Sequence, residues 1–537
     1  MLDGAAKSFS FKRFFCPTNR LAEFAAICGL SFLIAFVLTG NQIFLANWGV
    51  VDDWEIFSWL GTKKSLPFSE IKNTLLTMTE VGAPAHRFRP SYYLLKMVEA
   101  ATWGSSVHLW YLTRTVEFAV FIASIWWITS RFVGILVGGV LLIPTLVMPF
   151  WGDVWGRLGP SEAEGAAALG ALLLGAYGLY AGETSRRRTF GAIVVSAATL
   201  FLVGAKETFV PFAGLSIPLL VTAYARQKIS LIVAALLVAI TCVFSVSMIF
   251  FVQKAISGGA DYYGKPVELT SLLAIAQSSF IRSVVYWAPL YITAILWFAL
   301  RERSQGQTLR RWASASSATV AVFAFLIVLF VSQCVAYRSE LPLNMRYDFP
   351  GALFLPMNFC LLSCYVGYMA RLQFSGKSIG IFISVIALGY LVIPNASSQF
   401  RPLAIPKATI RNIQRTSAFF RELQSMVSAA KESPDRAIIL EVYEPWNWSF
   451  EPIFSLVAYL SAMDSKNTIS VRMHPSDRSS ETTDDGLKRR IAALQDQGER
   501  AISPLATSLA NAKGMCISVG INGPSVPECT EFRISTE

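Results

Sequence analysis

Residues 229–251 read ISLIVAALLVAITCVFSVSMIFF and contain no charged side chain. An α-helix needs about 20 such residues, rising 1.5 Å each, to cross the hydrocarbon core of a bilayer. This run therefore predicts a transmembrane helix, and the same pattern recurs along much of the chain.

Ten further apolar runs lie before and after that one. The eleven predicted spans are 24–45, 108–129, 132–150, 165–182, 190–204, 208–225, 229–251, 285–300, 313–335, 349–369 and 378–394. The first is predicted to be a retained helix, because its apolar stretch is too long for a signal peptide and no small-residue cleavage site follows. The sequence thus predicts an α-helical polytopic membrane protein.

The composition agrees with that class. Of the 537 residues, 54% are hydrophobic and only 15% are charged, whereas an average soluble chain is about 25% charged. A soluble enzyme and a disordered protein are both excluded. The net charge of +11 does not indicate nucleic acid, because the basic residues form short clusters between apolar runs. It indicates loops that face the cytoplasm beside membrane lipid.

The distribution of basic residues predicts the topology. With residues 1–23 in the cytoplasm, alternate loops are basic and poor in acids, which is the positive-inside pattern. The basic residues of these loops are Lys7, Lys12, Arg13, Arg20, Arg131, Arg186, Arg187, Arg188, Arg226, Lys228, Arg301, Arg303, Arg310, Arg311, Arg371 and Lys377. We therefore expect a membrane domain over 24–394, with a long first outer loop at 46–107, and a periplasmic segment over 395–537.

The C-terminal segment has a different pattern. Strand-like runs at 437–443, at 468–473 and near 515–519 alternate with an amphipathic helical stretch near 451–463. Such alternation predicts a small extracytoplasmic α/β domain. A docking module for a partner protein is an alternative role for it.

The first candidate site is the acidic pair Asp52 and Asp53, which follows the first span directly. Two adjacent carboxylates repel each other, so one of them has a raised pKa that suits a general base. The alternative is an ordinary acidic helix cap.

A second candidate comes later in the same loop, where His86, Arg87 and Arg89 precede Pro90 and Tyr92. The arginines and the histidine offer donors for a phosphate, and the aromatic ring suits a sugar. Equally, these residue types anchor loops at the membrane interface.

Three further candidates lie in predicted outer loops. They are Asp153, Trp155, Arg157 and Glu162 between the third and fourth spans, then the pair Lys206 and Glu207, and finally Arg346 before the tenth span. A tight turn or a local ion pair explains each one alone. Because all lie on one side, we expect an active site outside, where nucleotides are unavailable and the activated substrate must be carried by the membrane. The sequence also contains no phosphate-binding Walker loop and no dinucleotide fingerprint.

These residues resemble the GT-C superfamily of integral-membrane glycosyltransferases, over about residues 20–395. Asp52 and Asp53 stand where that superfamily has its acids after the first helix. The run His86 to Pro90 looks like the His/Arg-Pro element of the protein O-mannosyltransferase-like members. Arg157 to Glu162 resembles a motif in uncharacterised bacterial relatives.

The resemblance implies a donor, a reaction and roles. The donor is a polyprenyl-phosphate-linked sugar, and Asp52 or Asp53 is the general base for an acceptor hydroxyl on a glycan, a lipid or a protein. The leaving phosphate is stabilised by Arg87, Arg89 and Arg346, with Lys206 and Arg157 behind them, and the sugar is framed by Trp54, Tyr92 and Trp155.

The sequence departs from the superfamily in one respect. Metal-dependent members carry a DxD motif in the second outer loop, and here only Asp153 opens that loop, so no cofactor is assigned and a divalent metal is not supported. Two rival functions stay open. One is a transporter or flippase of a lipid-linked sugar, which needs no base. The other is an O-antigen polymerase or ligase, which we expect to carry its arginines in a late outer loop.

Overall fold

The computed structural model describes residues 17–49, 53–61, 63–79, 88–257, 268–304, 309–373 and 401–432, together with short segments at 438–443, 459–460, 463, 469–474, 502–504, 515–520 and 523–525.

Sixteen α-helices occur in the described residues. They are α1 (Pro17–Thr39), α2 (Asn41–Leu45), α3 (Asp53–Leu60), α4 (Ile71–Met78), α5 (Pro90–Trp103), α6 (Val107–Val133), α7 (Ile135–Leu146), α8 (Trp151–Trp155), α9 (Ser161–Ala181), α10 (Ser185–Ala205), α11 (Pro211–Ala225), α12 (Leu231–Ser257), α13 (Leu269–Ser304), α14 (Leu309–Ala336), α15 (Phe354–Gln373) and α16 (Ala404–Glu432).

The protein is an integral membrane protein, because many of these helices are long and apolar enough to cross a bilayer. In the described residues the candidate spans number nine: Arg20–Thr39, Val107–Val133, Ser161–Ala181, Ser185–Ala205, Glu207–Ala225, Leu231–Lys254, Leu269–Leu300, Trp312–Ala336 and Gly351–Ala370. Each corresponds to one of the eleven predicted spans. The predicted run at 378–394 lies outside the described residues.

The prediction for 132–150 is wrong in length. Only α7 forms there, and its 12 residues reach about 18 Å, less than the roughly 30 Å of a hydrocarbon core. The helix starts after Gly134, which has a φ of 93°, and the chain turns again before Pro149. The first span is displaced too, since α1 ends at Thr39 and residues 41–45 form the separate helix α2.

Aromatic side chains fix α8 against the membrane helices. The Trp155 ring stacks on Phe118 of α6 with centroids 4.5 Å apart, and Trp151 lies 5.3 Å from Phe349. The Trp151 indole N–H donates to the Thr145 carbonyl over 2.6 Å. Because these rings are buried, the segment after α7 is held at one end of the helix bundle.

The predicted first outer loop is largely helical, with α3, α4 and α5 inside it. Beyond α16 the structure contains strands β1 (Ile438–Tyr443), β2 (Ile469–His474), β3 (Ile502–Pro504), β4 (Met515–Gly520) and β5 (Gly523–Ser525), in the sheet order β3-β2-β1-β4-β5. The strands pair in parallel except β4 with β5. A separate α/β domain at 395–537 stays a prediction.

Candidate functional site

A cavity of about 1110 Å³ lies where the loop after α2, the start of α3, the α8 region, the turn before α15 and helix α16 meet. Seven of its lining side chains are charged: Asp53, Asp153, Arg157, Arg401, Lys407, Arg411 and Arg415. Residues from four distant parts of the sequence therefore form one site.

Asp53 is the first residue of α3, a position that favours an acidic side chain because backbone N–H groups are free there. Its side chain is 1% exposed, and its Oδ2 accepts the Gly49 N–H over 2.7 Å. The Tyr459 hydroxyl donates to the Gly49 carbonyl over 2.5 Å. Burial and the negative charge of Asp53 raise the pKa of Tyr459 well above its ordinary value, so that hydroxyl keeps its proton beside the carboxylate.

Asp153 joins two parts of the cavity wall. Its Oδ1 accepts from Arg157 Nε over 3.1 Å, and its Oδ2 accepts the Arg346 backbone N–H over 3.1 Å. The Arg157 side chain is still 31% exposed. This carboxylate is thus occupied in positioning Arg157 and the turn at Arg346.

That turn is held by Asp348. Its two oxygens accept the backbone N–H groups of Leu343 and Asn344, each over 2.6 Å. Burial raises the pKa of Asp348 to about 6, although these backbone hydrogen bonds oppose the shift. The carboxyl thereby shapes the segment that places Asn344 and Met345 in the cavity wall.

Helix α16 supplies most of the positive charge. Lys407, Arg411 and Arg415 recur every four residues, so they lie along one face; we name these three the cation row. Beside this row the helix is anchored through Asn412, which also lines the cavity and whose Nδ2 donates to Gln42 over 2.9 Å and to the Tyr111 hydroxyl over 2.8 Å.

Two glycines let α16 approach α8 closely. A Cβ atom on Gly152 would lie 2.8 Å from the Ala404 carbonyl oxygen, and one on Gly156 would lie 3.2 Å from the Ala408 Cβ. The Asn47 N–H also donates to Thr416 Oγ1 over 3.0 Å. These contacts bring the cation row to the same cavity as Asp53.

The sequence analysis did not identify Arg401, Lys407, Arg411 or Arg415 as site residues. A signal was present: cations recur every four residues while buried apolar side chains, such as Ile405, Phe419, Leu423 and Val427, form a stripe with helical spacing. Because these residues fall in the predicted extracytoplasmic segment 395–537, this amphipathic helix was not predicted to line the site.

Four predicted site residues form paired contacts away from the cavity lining. Arg89 Nη2 lies 3.2 Å from Glu207 Oε1, and Lys206 pairs with Glu162. Lys206 Nζ is 5.1 Å from the Tyr347 ring centre, and burial, opposed by the charge of Glu162, lowers the pKa of Lys206. The charges of these four side chains therefore neutralise one another in pairs.

The remaining predicted site residues lie outside the cavity lining or outside the described residues. The Tyr92 hydroxyl donates to the Gly159 carbonyl over 2.7 Å, Trp155 is in the core, and the Arg346 guanidinium carbon is 5.3 Å from the Tyr347 ring centre. Trp54 lies in α3, but its side chain is not described. Asp52, His86 and Arg87 lie outside the described residues.

A separate group of buried charges connects α5, α6 and α9; we name it the ion network. Glu164 Oε1 lies 2.7 Å from both Lys96 Nζ and Arg114 Nη1. Lys96 also contacts Glu99 over 2.6 Å, and Arg114 contacts Glu117 over 3.0 Å. Arg114 donates as well to the Leu158 carbonyl, next to Arg157. The network therefore supports the loop that carries a cavity residue.

The described residues offer little for a metal ion. Among them, no group of three or more His, Cys, Asp or Glu side chains has the arrangement of a metal site. Of the two cavity carboxylates, Asp153 is bound to Arg157. The cavity is suited instead to an anionic ligand beside one buried carboxylate.

No family model matches the sequence, and no curated protein matches it. The structure is similar to ArnT from Cupriavidus metallidurans bound to undecaprenyl phosphate, with 12% identity, a TM-score of 0.42 and coverage of 91% of this chain and 90% of that one.

It is also similar to the oligosaccharyltransferase of Archaeoglobus fulgidus in complex with zinc and sulfate. The identity is 13% and the TM-score 0.37, over 81% of this chain and 61% of that one.

Proposed function

We propose that the protein is a membrane glycosyltransferase that moves a sugar from a polyprenyl-phosphate donor to an acceptor hydroxyl. The observation that carries this proposal is the cavity itself, whose described lining contains the buried carboxylate of Asp53 together with five cationic side chains. A phosphate leaving group needs cations, and an acceptor hydroxyl needs a base.

The proposed reaction is a single displacement. Asp53 takes the proton of the acceptor hydroxyl while that oxygen forms a bond to the anomeric carbon. The bond between this carbon and the phosphate oxygen breaks, and its electron pair leaves with the polyprenyl phosphate. Attack opposite the leaving group inverts the anomeric configuration.

Arg157, Arg411 and Arg415 are the cations that we assign to the leaving phosphate. Burial lowers the pKa of the Arg415 guanidinium, and the charges of Arg411 and Arg157 lower it further, so these three groups lie close enough to repel. A bound phosphate relieves that repulsion, and charge placed in advance where negative charge develops is a large catalytic term.

We place the cavity on the periplasmic side of a bacterial inner membrane, with the N-terminus in the cytoplasm. Support comes from α1 and α6. Arg20 near the start of α1 pairs with Glu183, and Arg131 near the end of α6 pairs with Glu23. These ends are a helix length away from Asp53, on the side where the basic loops are predicted.

A transfer assay tests the proposal. Purified protein in nanodiscs receives radiolabelled polyprenyl-phosphate sugars and acceptors extracted from the membranes of the same cells. We expect label to move to an acceptor, and Asp53→Asn to reduce the rate by about 10²–10⁴-fold without changing the thermal unfolding midpoint. Glu70→Gln is the matched control, because its exposed pair with Lys63 is remote from the cavity lining.

Three outcomes contradict parts of the proposal. Wild-type turnover by Asp53→Asn removes Asp53 as the base. If Asp52→Asn is inactive while Asp53→Asn is active, the base is Asp52. If wild-type protein moves labelled donor across a sealed bilayer but transfers none to the extract, the protein is a carrier of lipid-linked sugar.

A further inference from the structure

The charge of the cavity exceeds what the proposed donor requires. The described residues that line it include five cations and two carboxylates, a net formal charge of +3 for this part of the wall. A sugar joined to a lipid through a phosphodiester carries one negative charge. Within the described part of the chain, Arg401 and the cation row make no ion pair with a carboxylate. Among the described residues, no carboxylate therefore neutralises their charge.

The cation row is also long. Lys407 and Arg415 are eight residues apart on one helix, which corresponds to about 12 Å along its axis. One phosphate binds its cationic partners at about 2.7–2.9 Å, so it would reach both ends only if both side chains extended along the helix toward it. Helix α16 passes α8 with Ala404 beside Gly152 and Ala408 beside Gly156, so the later part of the row is toward Arg157. Arg401 lies at the other end, three residues before α16 begins, and its backbone N–H donates to the Val147 carbonyl over 2.8 Å.

The volume of the cavity also indicates room for more than one ligand. The cavity volume of about 1110 Å³ is just above the roughly 300–1,000 Å³ of a typical pocket for one drug-sized ligand. Donor and acceptor have to be present together for transfer, and the wall near Arg401 and Lys407 is as cationic as the wall near Arg157.

We propose that the cavity binds two phosphate-class anions at once, one at Arg157, Arg411 and Arg415 and a second, carried by the acceptor, at Arg401 and Lys407. The identification of the first anion as the donor phosphate rests on the proposed function. The existence of two independent anion positions does not. The acceptor is accordingly a molecule that carries a phosphate group near the hydroxyl that receives the sugar.

Binding measurements on the full chain test this without turnover. The protein is placed in phosphatidylcholine nanodiscs, saturated with polyprenyl phosphate and titrated calorimetrically with inorganic phosphate. We expect a further phosphate to bind. The double variant Arg401→Gln/Lys407→Gln should weaken this binding by about tenfold or more, a loss of about 1.4 kcal/mol, and leave polyprenyl phosphate affinity within about twofold.

The other variants make the assignment specific. Arg415→Gln should weaken polyprenyl phosphate and spare inorganic phosphate. Arg421→Gln, on the same helix but absent from the cavity lining, should change neither. The proposal is overturned if the saturated wild-type protein binds no phosphate, or if each variant weakens both ligands together.

A second lipid composition separates the sources of the anion. Nanodiscs with about 30% phosphatidylglycerol present anionic headgroups at the surface. If inorganic phosphate then no longer binds, bulk lipid occupies Arg401 and Lys407, and the assignment to an acceptor is wrong. If it binds as before, the site is reserved for another molecule. Neither result depends on transfer activity, so a failure of the glycosyltransferase proposal is seen separately.

Discussion

The ion network and the cavity hold similar numbers of charged side chains but balance them differently. In the network, Lys96 and Arg114 lie 2.6–3.0 Å from the carboxylates of Glu99, Glu117 and Glu164, and the side chains of Lys96 and Arg114 are 2% and 3% exposed. In the cavity, five cations face two carboxylates, and the cation row is exposed.

The environments explain the difference. A buried charge without a partner costs several kcal/mol, and each charge of the network accordingly contacts at least one of opposite sign. A cavity open to water screens its cations, so they tolerate a surplus that a ligand can then neutralise. An unbalanced, hydrated group of charges is therefore the better indicator of a binding site.

The largest expected effect is on the network. Arg114→Gln leaves three buried carboxylates with one cation and removes the donor to the Leu158 carbonyl. We expect a loss of about 3–5 kcal/mol in unfolding free energy, seen as a lower thermal unfolding midpoint in detergent.

Arg20→Gln is the matched control, because its partner Glu183 lies 3.7 Å away and both side chains are well exposed. Removing such a pair should cost about 0–1 kcal/mol. Equal losses in the two variants would refute the distinction between buried and exposed charges.

The sequence predicted much of the membrane part because length and hydropathy are local properties. Nine of the eleven apolar runs match candidate spans, and Asp53, Asp153 and Arg157 do line the cavity. Pairings are not local. Arg89 and Glu207 are 118 residues apart in the sequence, and Lys206 and Glu162 are 44 apart, so no spacing rule shows that these candidates balance each other.

The contribution of α16 was missed for a related reason. Its amphipathic pattern is visible in the sequence, but only the approach to Gly152 and Gly156 shows which surface it covers. Hydrophobic spacing gives the buried face of a helix and not the identity of its neighbour.

A smaller effect, which depends on pH, is expected at Asp348, a carboxyl balanced by backbone N–H groups instead of cations. Its folded-state pKa is about 6 against an ordinary 3.8. Between these values the folded protein keeps a proton that the unfolded chain has released, so stability falls as pH rises through this window. The fall should be at most about 3 kcal/mol.

The thermal unfolding midpoints of the wild-type protein and of Asp348→Asn are measured from pH 4 to pH 7, and the difference between them is followed. Asparagine cannot titrate, so the wild-type curve should fall relative to the variant and level off above about pH 6. Parallel curves would show that Asp348 titrates in the folded protein as it does in the unfolded chain.

The smallest expected effect tests whether close packing of α16 maintains the cavity. In Gly152→Ala the new Cβ would lie 2.8 Å from the Ala404 carbonyl oxygen, a backbone atom that can move only if α16 shifts. Alanine favours a helix over glycine by about 1 kcal/mol, and the clash should outweigh that gain and leave a net loss of about 1 kcal/mol. Gly29→Ala is the control, because a Cβ there meets nothing within 4 Å and should be neutral or slightly stabilising.

Gly152→Ala should also weaken inorganic phosphate binding, since Arg401 and Lys407 move with α16, whereas Gly29→Ala should not. Unchanged phosphate affinity in a destabilised Gly152→Ala protein would mean that Arg401 and Lys407 bind phosphate without α16 being fixed to α8.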